Sequence, residues 1–156
     1  LGYHGFFHGI PGISNNDEFK SMSYDQAIDR IGLMYEYVES AGLKDKFKPI
    51  FRPPAWRMSD SAIFAARDLG IKVFALSPEE YALETYKGAD KKVNSIYYNA
   101  CPPFKPLELY EKTEIVYHAC EWDSNYLDVN KSNNLDHFLK NNNNYQFCFM
   151  EELLDG

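Results

Sequence analysis

The stretch GYHGFFHG, residues 2–9, sets His4 and His8 four positions apart between glycines. Neutral imidazole is a good ligand for zinc and other first-row divalent ions. On a helix, positions i and i+4 share a face and could chelate a metal. Here Gly2, Gly5, Gly9, Pro11 and Gly12 weaken any helix. A strand end turning into a loop offers another route, because glycine lets the backbone bend closely. From residue types alone the pair reads either as two metal ligands or as two loop histidines.

Two further stretches carry groups that do chemistry. FRPPAW, residues 51–56, places Arg52 and Trp56 on either side of two prolines. The prolines stiffen the loop. A guanidinium held there can orient a carboxylate through paired hydrogen bonds, and an indole can wall a groove and stack on a sugar ring. The same residues also suit a structural turn with a surface arginine and a packed tryptophan. His118 closes the apolar run EIVYH. A histidine there is either structural or, at the carboxyl end of a strand in an α/β protein, catalytic. Glu121, Trp122 and Asp123 follow it closely, while His137 falls on a polar helix face.

The elements that must position these groups follow from periodicity. A helix is expected at about 24–41, opened by the capping box Ser23–Gln26 and ended by Gly42. Its inward face is Ala27, Ile28, Ile31, Met34, Tyr35 and Val38. A short strand at 49–51 follows, then a helix at 60–69 capped by Ser59. IKVFAL, residues 71–76, is a continuous apolar run, the pattern of a strand buried on both faces. Further expectations are a weaker helix at 78–87, a strand near 93–98, a proline-rich loop at 101–106 and a strand at 114–119. Last come a helix from an Asn130 cap to about 140 with Leu135, Phe138 and Leu139 inward, a loop over the asparagine run 141–144, a strand YQFCFM and a short terminal turn. Strands alternating with helices predict an α/β domain with a parallel sheet or barrel. Ligands then bind at the carboxyl ends of the strands, where all three stretches fall.

Composition narrows the classes. One domain is expected from 156 residues, and 45% hydrophobic content suits a buried core. A net charge of −7 without a long basic run argues against a nucleic-acid footprint. No apolar run approaches the roughly 18 residues of a membrane span. Cys101, Cys120 and Cys148 form no C-x-x-C pair and are a poor disulfide framework.

In this order the stretches resemble the polysaccharide deacetylase family, the NodB-like carbohydrate esterases. His4 and His8 match that family's H-x-x-x-H motif, and Arg52-Pro53-Pro54-Ala55-Trp56 is similar to its R-x-x-P-W motif. Val116-Tyr117-His118 keeps the apolar residue and the histidine of its L-x-H motif, without the leucine. EFKSMSYDQAIDRI and the closing EW, NYL and F-x-F-x-x-EL pattern are similar to members of a bacterial subgroup.

The resemblance implies a (β/α) barrel and a divalent metal ion, zinc by expectation, with His4 and His8 among its ligands. It implies removal of N-acetyl groups from the amino sugars of a polysaccharide or oligosaccharide. Arg52 would orient the catalytic base, Trp56 with Pro54 would wall the substrate groove, and His118 would be the general acid. The family's aspartate pair, base and third ligand, precedes the histidines. The expectation is therefore an incomplete barrel whose first strand lies upstream of Leu1, inactive as this fragment. The family's fourth, acidic motif has no clear match; Glu79 and Glu80 are the nearest acids and are not assigned. A non-catalytic carbohydrate-binding protein on the same scaffold is the alternative.

Overall fold

A computed structural model of the chain describes residues 1–76, 95–97 and 100–153. Helix α1 spans Tyr24–Ser40. Its start is the expected capping box: Ser23 accepts from the Gln26 amide while the Gln26 side chain accepts from the Ser23 amide. Ala27, Ile31 and Met34 are buried along the anticipated face. Strand β1 is Ile50–Phe51. Helix α2, Asp60–Asp68, is capped by Ser59, whose hydroxyl accepts from the Ala62 amide and donates to the Met22 carbonyl. Strand β2, Val73–Leu76, is buried at all four positions, as the unbroken apolar run implies.

β1 and β2 pair in parallel, Ile50 opposite Val73 and Phe51 opposite Phe74. Parallel neighbours require a crossover, and α2 supplies it. The same logic runs one step upstream. The Tyr3 amide donates to the Ile50 carbonyl at 2.8 Å and the Arg52 amide to the Tyr3 carbonyl at 2.9 Å. Residues 1–3 therefore lie parallel to β1, with α1 as the crossover. Strand β3, Ser95–Tyr97, completes the sheet order β1–β2–β3. Phe19 and Phe51 meet edge to face in the core, 5.0 Å between ring centres, and α1 ties to α2 through Tyr24 Oη on Asp68 and Tyr35 Oη on the Leu69 carbonyl. The helix expected at 78–87, with Glu79 and Glu80, lies outside the described residues, as do the ends of the strand expected at 93–98.

The chain divides into two compact units, residues 1–96 with 150–156, and residues 97–149. In the second, the strand expected at 114–119 is reduced to two parallel bridges, Ala100 with Ile115 and His118 with Tyr126. Pro102 and Pro103 follow Ala100 and Cys101 and have no N–H to continue a ladder. Asn125, 1% exposed, substitutes for part of the missing ladder: its Nδ2 donates to the Val116 carbonyl at 3.1 Å and to the Pro102 carbonyl. Helix α3 spans Val129–Asn141 and is capped by Asp128, which accepts from the Lys131 amide, rather than by Asn130. Leu135, Phe138 and Leu139 are only half-buried.

YQFCFM forms no strand. Tyr145 instead meets Phe147 edge to face, its hydroxyl donates to the Leu139 carbonyl, and Phe147 and Phe149 are exposed. Residues Met150–Leu153 form the short terminal turn, a 3₁₀ helix. No helix among the described residues is long and apolar enough to cross a membrane.

Candidate functional site

Because residues 1–3 and β1 run in the same direction, the residues that leave them, His4 and Arg52, emerge at one end of the sheet. His4 Nδ1 lies 2.7 Å from the Arg52 carbonyl oxygen. His8 Nδ1 lies 2.7 Å from the Asn15 carbonyl oxygen. A carbonyl only accepts, so in each ring Nδ1 is the donor, and the neutral ring then carries its lone pair on Nε2. The ring centres are 5.1 Å apart with planes at 63°. A ring N–H held by a backbone carbonyl is how metal-ligating histidines are oriented and their tautomer fixed.

The turn between them is built around Glu18, 2% exposed. Its Oε2 accepts from three consecutive amides, Phe6 at 2.8 Å, Phe7 at 3.0 Å and His8 at 2.9 Å. Oε1 pairs with the Arg30 guanidinium from α1. Successive N–H groups converging on one carboxylate satisfy donors that this tight turn cannot bond within itself. The glycines are steric requirements of that arrangement. A Cβ on Gly5, at φ +109°, would stand 2.5 Å from Glu18 Oε2 and 3.0 Å from Pro54 Cγ. One on Gly9 would stand 2.2 Å from the Ser14 carbonyl oxygen. His8 itself sits at φ +64°, uncommon for a residue with a Cβ.

FRPPAW lies against this turn through Pro54. Pro53 and Pro54 are buried, and Pro54 opens a 3₁₀ turn to Trp56. Ala55 and Trp56 have φ of 53° and 55°. Two consecutive left-handed residues cost roughly 1–2 kcal/mol each. Strain of this kind collects where a loop is held for a purpose. The Arg52 guanidinium is 5.9 Å from the Trp56 ring centre, the outer range of a cation–π contact. The arginine also serves the histidines through its backbone, whose carbonyl anchors His4, a role no side-chain motif announces.

His118 belongs to the second unit. Its backbone is fixed by bonds to Asn125 and Leu127, and its Nδ1 is 3.6 Å from Asp123 Oδ2. That distance is an ion-pair contact for a protonated ring rather than a neutral hydrogen bond. Of Glu121, Trp122 and Asp123, it is Asp123 whose side chain approaches the ring in this way.

Among the described residues no group of three or more His, Cys, Asp or Glu side chains is placed to hold a metal. His4 and His8 fit two positions of a divalent ion's coordination shell by donor type and by the anchoring of both rings. Two acids that follow the histidines in the sequence are engaged elsewhere: Glu18 as above, and Asp17 with Arg57 at 3.1 Å and Ser14 Oγ at 2.8 Å. Behind the turn lies a cavity of about 550 Å³, lined by Ile10, Pro11, Glu18, Met22, Arg30 and Leu33 among others. It contains neither histidine. No family model, curated protein or solved structure matches the chain.

Proposed function

We propose that this chain carries the metal-binding and groove residues of a polysaccharide deacetylase-like hydrolase, which removes N-acetyl groups from amino sugars on a (β/α)-barrel scaffold. The observation that carries the reading is the histidine pair. Two rings side by side at the carboxyl end of parallel strands, each with Nδ1 on a backbone carbonyl, present two Nε2 lone pairs of fixed tautomer.

His4 and His8 would hold the ion, zinc by donor preference. When bound it supplies Lewis-acid polarisation of the scissile amide carbonyl. Trp56, with Pro54, offers a stiff apolar wall on which a pyranose ring can stack. Arg52 orients the carboxylate that serves as general base. The family resemblance gives His118, beside Asp123, the role of general acid, the group that protonates the departing amine nitrogen as the C–N bond breaks. Water adds to the acetyl carbon, and the products are acetate and a free amino sugar.

The test uses the full-length protein. Zinc uptake is measured by competition with a chelator, and acetate release from chitooligosaccharides is followed in parallel for the wild type, His4→Ala and His118→Ala. Zinc-dependent acetate release abolished by His4→Ala supports the reading; release that survives His4→Ala overturns it. Oligosaccharide retention that persists in a chelator, with no acetate released, would assign the protein to non-catalytic carbohydrate binding instead.

A further inference from the structure

We infer that Glu18 is the positioning residue of the histidine pair: its buried carboxylate moulds the turn that sets His8 beside His4. The inference deepens the reading above and rests on it for the pair's role as ligands.

The backbone donors of the turn come first. The backbone bends through residues 6–9, and the amides of Phe6, Phe7 and His8 converge on one side. A buried amide without a partner is costly. A single ionised oxygen accepts all three here, and charge-assisted bonds are about twice as strong as neutral ones. The other oxygen is matched by Arg30, which also lies over the Phe7 ring with its guanidinium carbon 4.7 Å from the ring centre. Glu18 is thus held from α1 and in turn holds the turn. His8 has φ +64°, and the bond at its own amide is what keeps it there while its Nδ1 reaches Asn15. His4 needs no such device, because the sheet fixes it through Tyr3 and Arg52. One arm of the pair is therefore set by strand pairing and the other by Glu18. The carboxylate acts on the imidazoles through the backbone.

The matched carboxamide is the discriminating change. Glu18→Gln keeps size and one carbonyl acceptor but loses the charge, the strong acceptance of three amides and the ion pair with Arg30. Three readouts are taken on the full-length protein. In the metal-free state, the inter-imidazole nuclear Overhauser effect of His4 and His8 and the exchange protection of the amides of residues 6–8 are recorded. Zinc affinity is then measured by competition. Far-UV circular dichroism and the urea midpoint report the fold separately. The wild type is expected to show the ring contact and protected amides. A folded Glu18→Gln is expected to lose both and to bind zinc about tenfold more weakly, the lower end of what removing an outer-shell partner costs.

A folded Glu18→Gln that keeps the ring contact and amide protection overturns the inference. If Glu18→Gln does not fold, the wild type alone still decides: rapid exchange of amides 6–8 beside protected α1 amides overturns it, and protection matching that of α1 upholds it. A wild type that shows the contact and the protection but takes up no zinc would sink the metal reading while leaving the role of Glu18 standing.

Discussion

Replacing Gly9 by alanine tests the geometry of the histidine turn most severely. The new methyl group would lie 2.2 Å from the Ser14 carbonyl oxygen and 2.7 Å from both the Cα and the carbonyl carbon of Asn15. These are backbone atoms, so no side-chain rotation relieves the contact. The segment 14–15 must move away, and two sets of bonds go with it. Ile10 and Ser14 exchange amide–carbonyl bonds at 2.7 and 3.0 Å, and the Asn15 carbonyl accepts from His8 Nδ1 at 2.7 Å. Overpacking of this sort costs about 1–3 kcal/mol, and each lost bond adds about 1 kcal/mol. With three bonds lost on top of the overpacking, the expected destabilisation is about 4–6 kcal/mol, a large share of the roughly 5–15 kcal/mol that holds a domain together. Urea denaturation measures it, and the ring contact between His4 and His8 should vanish at denaturant concentrations where the protein is still folded. Gly32→Ala is the matched control. It lies inside α1 with nothing within 4 Å of the added carbon, so it should stabilise by about 0.5–1 kcal/mol. A Gly9→Ala protein within about 1 kcal/mol of wild type, ring contact intact, would refute the turn geometry described above.

Other expectations are more local. Ser59→Ala removes the α2 cap and the bond to the Met22 carbonyl at 2.6 Å, and should cost about 1–2 kcal/mol in urea denaturation; no loss would mean that α2 does not depend on its cap. Asn125→Leu strips partners from the carbonyls of Val116 and Pro102 and should cost about 2–3 kcal/mol, with a shifted His118 amide resonance as its local sign. Burial pushes the Tyr35 hydroxyl up to about 12. Unfolded tyrosine ionises near pH 10, so between about pH 10 and 12 the unfolded chain binds fewer protons than the folded one and stability falls as pH rises. Tyr35→Phe should flatten that part of the stability–pH curve, and an unchanged slope would place the loss in another group.

Much of the first unit was legible because its signals are local. A capping box is a four-residue pattern, and Ser23–Gln26 and Ser59 both behave as their spacing says. VFAL is buried throughout because apolar residues on both faces leave it no solvent side. Sequence patterns misled where structure depends on a partner far along the chain. Tyr145, Phe147 and Phe149 alternate as a half-buried strand would, yet a strand also needs a neighbour whose amides and carbonyls are on offer. Here Tyr145 and Phe147 pack on one another instead. The run 114–118 does find neighbours, but Pro102 and Pro103 cut one ladder short. Asp128 and Asn130 are both good caps separated by one residue, and only backbone geometry chooses between them.

At the candidate site the sequence supplied the residues and their order, and the fold supplied the anchors. His4, His8, Arg52 and Trp56 could be picked out by type. The carbonyls of Arg52 and Asn15 could not, because every residue has one. Glu18 was invisible for a related reason: its partners are three amides about ten residues upstream, and a backbone amide leaves no mark in the sequence. The glycines flanking FFH were the available hint, since both are demanded by close approach to Glu18 and to Ser14.

The manner in which the turn is gripped has a consequence for how it can vary. Glu18 takes hold of positions 6 and 7 by N–H groups alone, leaving the Phe6 ring to Tyr37 and the Phe7 ring to Arg30. The hold is therefore indifferent to which side chains those positions display, with one exception: proline, which has no hydrogen to give. The loop works as a socket with interchangeable fittings, in which the residues displayed beside the histidines can be exchanged without remaking the mount beneath them.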